Sequence, residues 1–281
     1  MSNAVGRLYV VATPIGNRDD ITLRAIGILR DVDRVVAEDT RHSGRLLDYL
    51  GIRRPMLSLH EYNENDAAQR VIDCLLAGES LALISDAGTP LISDPGFPLV
   101  RACREQGIDV IPVPGVSALI AALSVSGLPT DRFRFEGFLP RRQQARLTCL
   151  ERLQREPATL IFYESSHRVV EALQDLLAVF GAARHAVLAR ELTKVHETLK
   201  AAPLGELLAW VEADENQRKG EFVLLLAGAE ADADAGAMDT DALLRILLDE
   251  LPLKQAAALA ARISGEKKNR MYQRALDLSR R

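Results

Sequence analysis

The chain has 281 residues, with 35 Lys or Arg against 39 Asp or Glu and a formal net charge of −4. Its 48% hydrophobic content can offset the entropy lost on ordering a backbone, which excludes a disordered chain, and its length predicts two domains with a small appendage. No apolar run approaches the roughly 20 residues of a membrane helix and no basic-then-apolar leader opens the chain, so a cytoplasmic location without membrane contact is expected.

Short β-branched runs predict strands at Leu8–Val11, Arg34–Ala37, Leu81–Ile84 and Val110–Val113. Helical spacing falls between them at Leu23–Leu29, Arg45–Leu50 and Ala68–Leu76, and a small-residue helix follows over Ser117–Ser126. Such alternation predicts an α/β fold with a mainly parallel sheet covered on both faces. Gly127-Leu128-Pro129 stops the helix and closes a first domain, 1–128. The pattern resumes with a strand at Ala158–Tyr163, a helix at Ser166–Phe180 and strands at His185–Ala189 and Glu221–Ala227, giving a second α/β domain over 129–228. Residues 229–241, with Ala231-Asp232-Ala233-Asp234-Ala235-Gly236, read as a flexible acidic linker.

The last segment, 242–281, reads as a basic helical hairpin. Leu253, Ala256, Ala257, Ala260 and Ile263 form one stripe, Ser264-Gly265-Glu266 makes a turn, and Lys267–Leu278 turns Met271, Ala275 and Leu278 inward, as in a helix-turn-helix. From Pro252 onward there are eight basic and two acidic residues, whereas the preceding 251 residues hold 27 basic and 37 acidic. A +6 tail on a −10 body points to a polyanionic partner. The three cysteines, Cys74, Cys103 and Cys149, each fall in a helical run and are expected as buried free thiols of a reducing compartment.

No Gly-x-Gly-x-x-Gly follows the first strand, and no phosphate loop, nucleophile elbow or metal-ligand spacing occurs, so neither a usual dinucleotide or ATP site nor a metal is expected. A local duplication stands out: Ser85-Asp86-Ala87-Gly88-Thr89-Pro90-Leu91 and Ser93-Asp94-Pro95-Gly96-Phe97-Pro98-Leu99 share Ser-Asp-x-Gly-x-Pro-Leu. It starts where a predicted parallel strand ends, which is where open α/β sheets bind ligands. Its turns expose backbone groups able to grip adenine, ribose and an amino-acid tail. The loops at Thr13–Asn17, Glu38–Arg41 and Pro112–Ala118 fall at equivalent strand ends.

Ala-Glu-Asp-Thr-Arg, Ser-Asp-Ala-Gly-Thr-Pro-x-Ile-Ser-Asp-Pro-Gly, Val-Pro-Gly-x-Ser-Ala and Phe-Tyr-Glu-Ser-x-His-Arg occur in that order. From Gly6 to Ala227 the chain resembles the ribosomal RNA small-subunit methyltransferase I family of the tetrapyrrole methylase superfamily, and its hairpin resembles that family's C-terminal helix-turn-helix. The resemblance implies two α/β domains with a cleft between them, a homodimer, and S-adenosylmethionine as donor for 2′-O-methylation of a cytidine in 16S ribosomal RNA; the negative body favours a small ribosomal subunit over naked RNA as the form in which that RNA is met. By the same resemblance the donor is held by Asp86, Ala87, Gly88, Thr89, Pro90 and Ile92, with Ser117, Ala118, Phe162, Tyr163, Phe222 and Pro14 at further matching positions. Thr89 stands where the superfamily's Gly-Asp-Pro loop has Asp.

A ribose hydroxyl attacking a methyl group needs alignment and a proton acceptor. Candidates are His60, Glu61, Glu164, Glu191 and Lys194, each equally readable as a substrate contact or a structural ion pair. Arg41, Arg141, Arg142, Arg146 and Arg168, with Lys267, Lys268, Arg270 and Arg274 of the hairpin, are candidate phosphate contacts. Phe133, Phe135, Phe138, Phe162 and Tyr163 can stack bases or pack a core. The rival readings are a methylase of a small tetrapyrrole and a DNA-binding regulator with a metabolite-sensing body.

Overall fold

A computed structural model describes residues 5–229 and 240–279. The chain divides into two compact units, 1–228 and 229–281. The first opens with a five-stranded sheet of β1 (Leu8–Val11), β2 (Arg34–Ala37), β3 (Met56–Ser58), β4 (Leu81–Ile84) and β5 (Val110–Val113), in the order β3-β2-β4-β1-β5 and parallel throughout. Its helices are α1 (Leu23–Asp31), α2 (Thr40–Tyr49), α3 (Glu64–Leu76), α4 (Phe97–Glu105) and α5 (Ala118–Ser126). Alternate residues feed opposite cores. Val36, Leu81 and Leu83 pack under α3 and α4, whereas Val35, Ala37, Ala82 and Ile84 pack under α1 and α2. Burial on both faces is why these strands read as continuous apolar runs.

The second sheet comprises β6 (Phe133–Phe138), β7 (Thr159–Ser165), β8 (His185–Arg190), β9 (Thr198–Pro203) and β10 (Glu221–Leu226), in the order β6-β7-β10-β8-β9. Only β6 and β7 are parallel; every other pairing is antiparallel. The expected mainly parallel arrangement therefore holds for the first sheet alone. The short link between β8 and β9 cannot carry a parallel crossover, which takes a dozen or more residues. One face is covered by α6 (Gln143–Leu153), α7 (Val169–Phe180) and α8 (Leu204–Ala213). The other receives α5, whose Leu119, Ala122 and Leu123 meet Ile161, Val187, Ala189, Val223 and Leu225. Helix α5 thus joins the two sheets.

The second unit holds α9 (Thr240–Glu250), α10 (Leu253–Ser264) and α11 (Lys268–Ser279) around Leu244, Ala257, Ala260, Met271 and Ala275. The hairpin is a pair within a trio, and Ile263, expected inward, is 46% exposed. Most of the 229–241 linker lies outside the described residues; its end, Thr240-Asp241, opens α9. All three cysteines are free, but only Cys103 is buried; Cys74 and Cys149 are half-buried at the flanks of α3 and α6. Among the described residues no helix is long and apolar enough to cross a membrane.

Candidate active site

The loops that leave β1, β2, β4 and β5 converge at one edge of the first sheet. Thr13 and Gly88 form a two-way backbone bridge, N–H to C=O, at 2.8 and 3.1 Å. The buried Thr13 hydroxyl donates to Ser85 C=O at 3.1 Å, and the Ser85 hydroxyl donates to Gly88 C=O at 3.2 Å. Thr89 Oγ1 donates to Val116 C=O at 2.9 Å, tying the repeat to the loop after β5. Asp86 Oδ1 accepts from Asp39 N–H at 3.2 Å, tying it to the loop after β2. Gly88 has φ +81°, and Leu91 and Ser93 take left-handed φ of 72° and 69° without being glycine. Such strain concentrates where surroundings over-determine the backbone.

These loops wall a cleft of about 400 Å³ that the second sheet completes. Asp86, Ala87, Gly88, Thr89, Ile92, Ser117 and Ala118 line it from the first half; Tyr163, Phe222, Leu192 and Lys194 line it from the second. Tyr163 is held by Leu119 N–H donating to its hydroxyl at 3.2 Å and by the edges of Phe135 and Phe138, and burial raises its pKa. Three expected residues stand elsewhere. Pro90 is buried and does not line the cleft, and Pro14 borders an adjoining cavity instead. Phe162 is 0% exposed in the core under α6 and α7, because strand alternation turns it away from its neighbour Tyr163.

Asp94, the second acid of the duplication, also lines the cleft. Burial, then the nearby Glu38 carboxylate, pushes its carboxyl up to about 7, with Asp86 adding to the effect and a Ser85 hydrogen bond opposing it. Glu38 is raised too, by burial first and by Asp86 next. Crowded carboxylates short of countercharge beside apolar Ile15, Ile92 and Phe138 suit a ligand carrying both positive charge and flat apolar area. The donor set fits S-adenosylmethionine on those grounds. The repeat itself was the signal for Asp94: its two copies place Asp86 and Asp94 alike.

A family model described as Tetrapyrrole (Corrin/Porphyrin) Methylases matches residues 7–208, and one described as RsmI C-terminal HTH domain matches residues 234–279. The chain is 54% identical over 275 residues to the ribosomal RNA small subunit methyltransferase I of Escherichia coli O157:H7, covering 98% of this chain and 96% of that one. With its namesake from Pseudomonas aeruginosa the identity is 56%, covering 97% and 98%. The chain belongs to the ribosomal RNA small subunit methyltransferase I family. It is an S-adenosylmethionine-dependent methyltransferase. Among solved structures, uroporphyrin III C-methyl transferase from Thermus thermophilus matches with a TM-score of 0.56 at 20% identity, covering 79% of this chain and 97% of that one. Diphthine synthase matches with a TM-score of 0.59 at 16% identity, covering 79% and 90%. At such identities the likeness is one of fold.

The proton-acceptor candidates separate sharply. His60 and Glu61 lie outside the cleft; His60 packs edge-on to Tyr62, and Glu61 is exposed. Glu164 borders the cleft, but its side chain is fully buried and paired to Arg168 at 2.7 Å, with Ser165 N–H donating to the same oxygen at 2.8 Å. Burial raises its pKa; Oε1 is taken up by Arg168 and Ser165, while the buried Oε2 has no hydrogen-bond partner. Lys194 stands in the cleft, 2.9 Å from Glu191 Oε1 and 2.8 Å from Glu221 Oε2. Burial acts against the Lys194 charge, yet hydrogen bonds to Glu221 and Glu191 outweigh it and raise its pKa. Burial likewise acts to raise Glu191, but Lys194 and the Glu221 N–H hold it low.

Several expected phosphate contacts are otherwise engaged. Arg146 is 1% exposed and bound to Asp175 at 2.6 Å and to the Pro140 and Arg141 carbonyls, because it faces into the α6–α7 core. Arg168, besides holding Glu164, donates to Leu139 C=O at 2.9 Å. Arg270 pairs with Glu266 at 3.3 Å and Arg274 with Asp241 at 2.6 Å. Arg41, Arg141, Arg142, Lys267 and Lys268 are exposed. Phe133 and Phe138 are exposed, 43% and 53%, whereas Phe135 packs on Tyr163.

Proposed function

We propose that the chain methylates the ribose 2′-oxygen of a cytidine in 16S ribosomal RNA, acting on a small ribosomal subunit as a homodimer in the cytoplasm. The observation that carries the reading is the acid-lined cleft closed by the doubled turn at β4, in a chain 54% identical over nearly its whole length to a relative named for ribosomal RNA. When bound, the donor supplies a methyl group on a positively charged sulfur. Backbone groups from Ala87 to Ile92 would hold its adenosine portion, and Asp86 and Asp94 would face its positive charge. Ser117, Ala118 and Tyr163 would close the far wall. The exposed Arg41, Arg141, Arg142, Lys267 and Lys268 would meet phosphates, and residues 242–281 would serve as the RNA-facing appendage.

A tetrapyrrole acceptor has weaker support, since the solved uroporphyrin enzyme matches at about one residue in five, against 54% for a relative named for ribosomal RNA. The test is transfer of labelled methyl from S-adenosylmethionine to 30S particles, to free 16S RNA and to a uroporphyrin-type tetrapyrrole, followed by nucleoside analysis. Labelled 2′-O-methylcytidine, with faster turnover on 30S particles, is expected. Label in a base, or in the tetrapyrrole, would sink the reading.

A further inference from the structure

A second cavity, of about 500 Å³, adjoins the donor cleft. The two share a wall, since Ile15, Asp86, Ala87, Lys194 and Glu221 line both. Away from that wall the second cavity turns basic, lined by Arg18, His42 and Arg45. Helix α2 accounts for this: residues 42, 45 and 49 share one of its faces. Tyr49 carries the Arg18 guanidinium over its ring at 4.7 Å, so a cation from the turn after β1 is held above α2. Among the described residues, neither Arg18 nor Arg45 has an ion-pair partner. Ser43, 2% exposed, lines the same cavity, and its buried Oγ has no hydrogen-bond partner. Two unpaired guanidinium forks beside an unsatisfied hydroxyl form the donor set of a phosphodiester site.

The shared wall is equally specific. Gly220 has φ +101°, and a Cβ there would fall 2.5 Å from the Glu191 carboxylate, so only glycine lets β10 begin against that residue. A Cβ on Gly16 would fall 2.5 Å from Lys194 Cγ. Two glycines therefore make room for the Glu191–Lys194–Glu221 cluster where the cavities meet. Lys194 is held protonated and can only donate. Glu191 is occupied by Lys194 and by the Glu221 N–H, which donates to it at 3.0 Å. Glu221 has a side chain 75% exposed and one partner, Lys194, so it keeps free acceptor capacity and a path to water.

We propose that the second cavity takes the ribose-phosphate of the target nucleotide, with its phosphate on Arg18, Arg45 and Ser43 and its 2′-oxygen alongside the Lys194–Glu221 pair, where Glu221 accepts the hydroxyl proton. The proposal rests on the chain being an RNA ribose methyltransferase. In the balanced step an O–C bond forms at the ribose and the C–S bond of the donor breaks with its electron pair left on sulfur. The hydroxyl proton passes to Glu221 and then to water. Lys194 donates to the oxygen as negative charge builds there.

The test uses the full chain. Filter binding of donor-free protein to 16S RNA is expected to weaken at least about tenfold in Arg18→Ala with Arg45→Ala, with a salt slope lower by about two. Arg18→Lys with Arg45→Lys should recover most of that affinity. Arg101→Ala with Arg104→Ala removes equal charge from α4 and should change affinity less than about twofold. Glu221→Gln should bind RNA and donor within about threefold of the unsubstituted chain, yet methylate at least about 100-fold more slowly in a single turnover. Unchanged RNA affinity in the Arg18/Arg45 variant, an equal loss in the Arg101/Arg104 variant, or full turnover in Glu221→Gln would overturn the assignment. Failure of the unsubstituted chain to methylate RNA would overturn the reading beneath it.

Discussion

Asp94 shows how a single carboxyl records both stability and ligand preference. Its pKa, near 3.8 in an unfolded chain, stands at about 7 here, so the folded protein holds a proton that the unfolded chain releases. The stability associated with that proton is complete below pH about 3.8 and is lost as pH rises through about 7. Asp94→Asn is therefore expected to stabilise donor-free protein at pH 8 by on the order of 1–2 kcal/mol, read by denaturant unfolding. Calorimetry is expected to show donor affinity rising between pH 6 and 8 and the same variant flattening that rise; an unaltered profile would place the donor's charge elsewhere. Gly88 is the second decisive residue. An added Cβ would be strained at φ +81° and would sit 3.3 Å from Ile15 Cγ2. Gly88→Val should cost about 1–3 kcal/mol of stability and at least tenfold in donor affinity, and unchanged affinity in a folded variant would refute the loop's role. Both residues were visible in the duplication, but which of its side chains faced the cleft was not. Pro90 and Gly88 are two residues apart in one turn, and only the fold sets Gly88 on the cleft wall and leaves Pro90 off it.

At the scale of elements, the buried ion pair between α6 and α7 makes a clear demand. Arg146 and Asp175 have side chains 2% and 5% exposed, 2.6 Å apart. Asp175→Ala leaves a buried guanidinium with only the exposed Glu171, at 3.5 Å, as a charged partner and should destabilise by about 3–5 kcal/mol on denaturant unfolding. A cost below about 1 kcal/mol would mean that Arg146 swings out to water. Linear charge reading mistook Arg146 for a phosphate contact because one cationic residue looks like another until its face of the helix is known. Strand reading failed for a related reason at β3, β6 and β9. Met56-Leu57-Ser58 is a three-residue edge, and Phe133–Phe138 interleaves Arg134 and Glu136 with a register shift at Gly137. Lys200 and Pro203 interrupt the apolar pattern of β9. Edge strands are half-solvated, so their composition carries little of the apolar signal that marks β4 or β10.

For the whole molecule, the division after Gly228 and the separate core of α9–α11 bear on RNA affinity. A chain ending at Gly228 is expected to unfold within a few degrees of the full protein and to bind donor unchanged, while losing at least tenfold in RNA affinity at physiological salt. Full RNA affinity in the shortened chain would reduce α9–α11 to a packing element. Within that trio the substitutions of choice are Lys267→Ala with Lys268→Ala, since Arg270 and Arg274 already spend their charge on Glu266 and Asp241. These two exposed lysines should weaken binding without altering base preference, because phosphate contacts carry no sequence information.

Local order in the chain settled a good deal alone: the parallel first sheet, the family and its methyl donor. All of these depend on residues adjacent in sequence, where apolar periodicity and turn chemistry act within a few positions. Tertiary structure alone decided which charges are free. Arg146 neutralises Asp175 across two helices, 29 positions away, and Lys194 and Glu221, 27 positions apart, are brought within 2.8 Å where two cavities meet. Electrostatic roles depend on burial and on distant neighbours, and a linear pattern encodes neither.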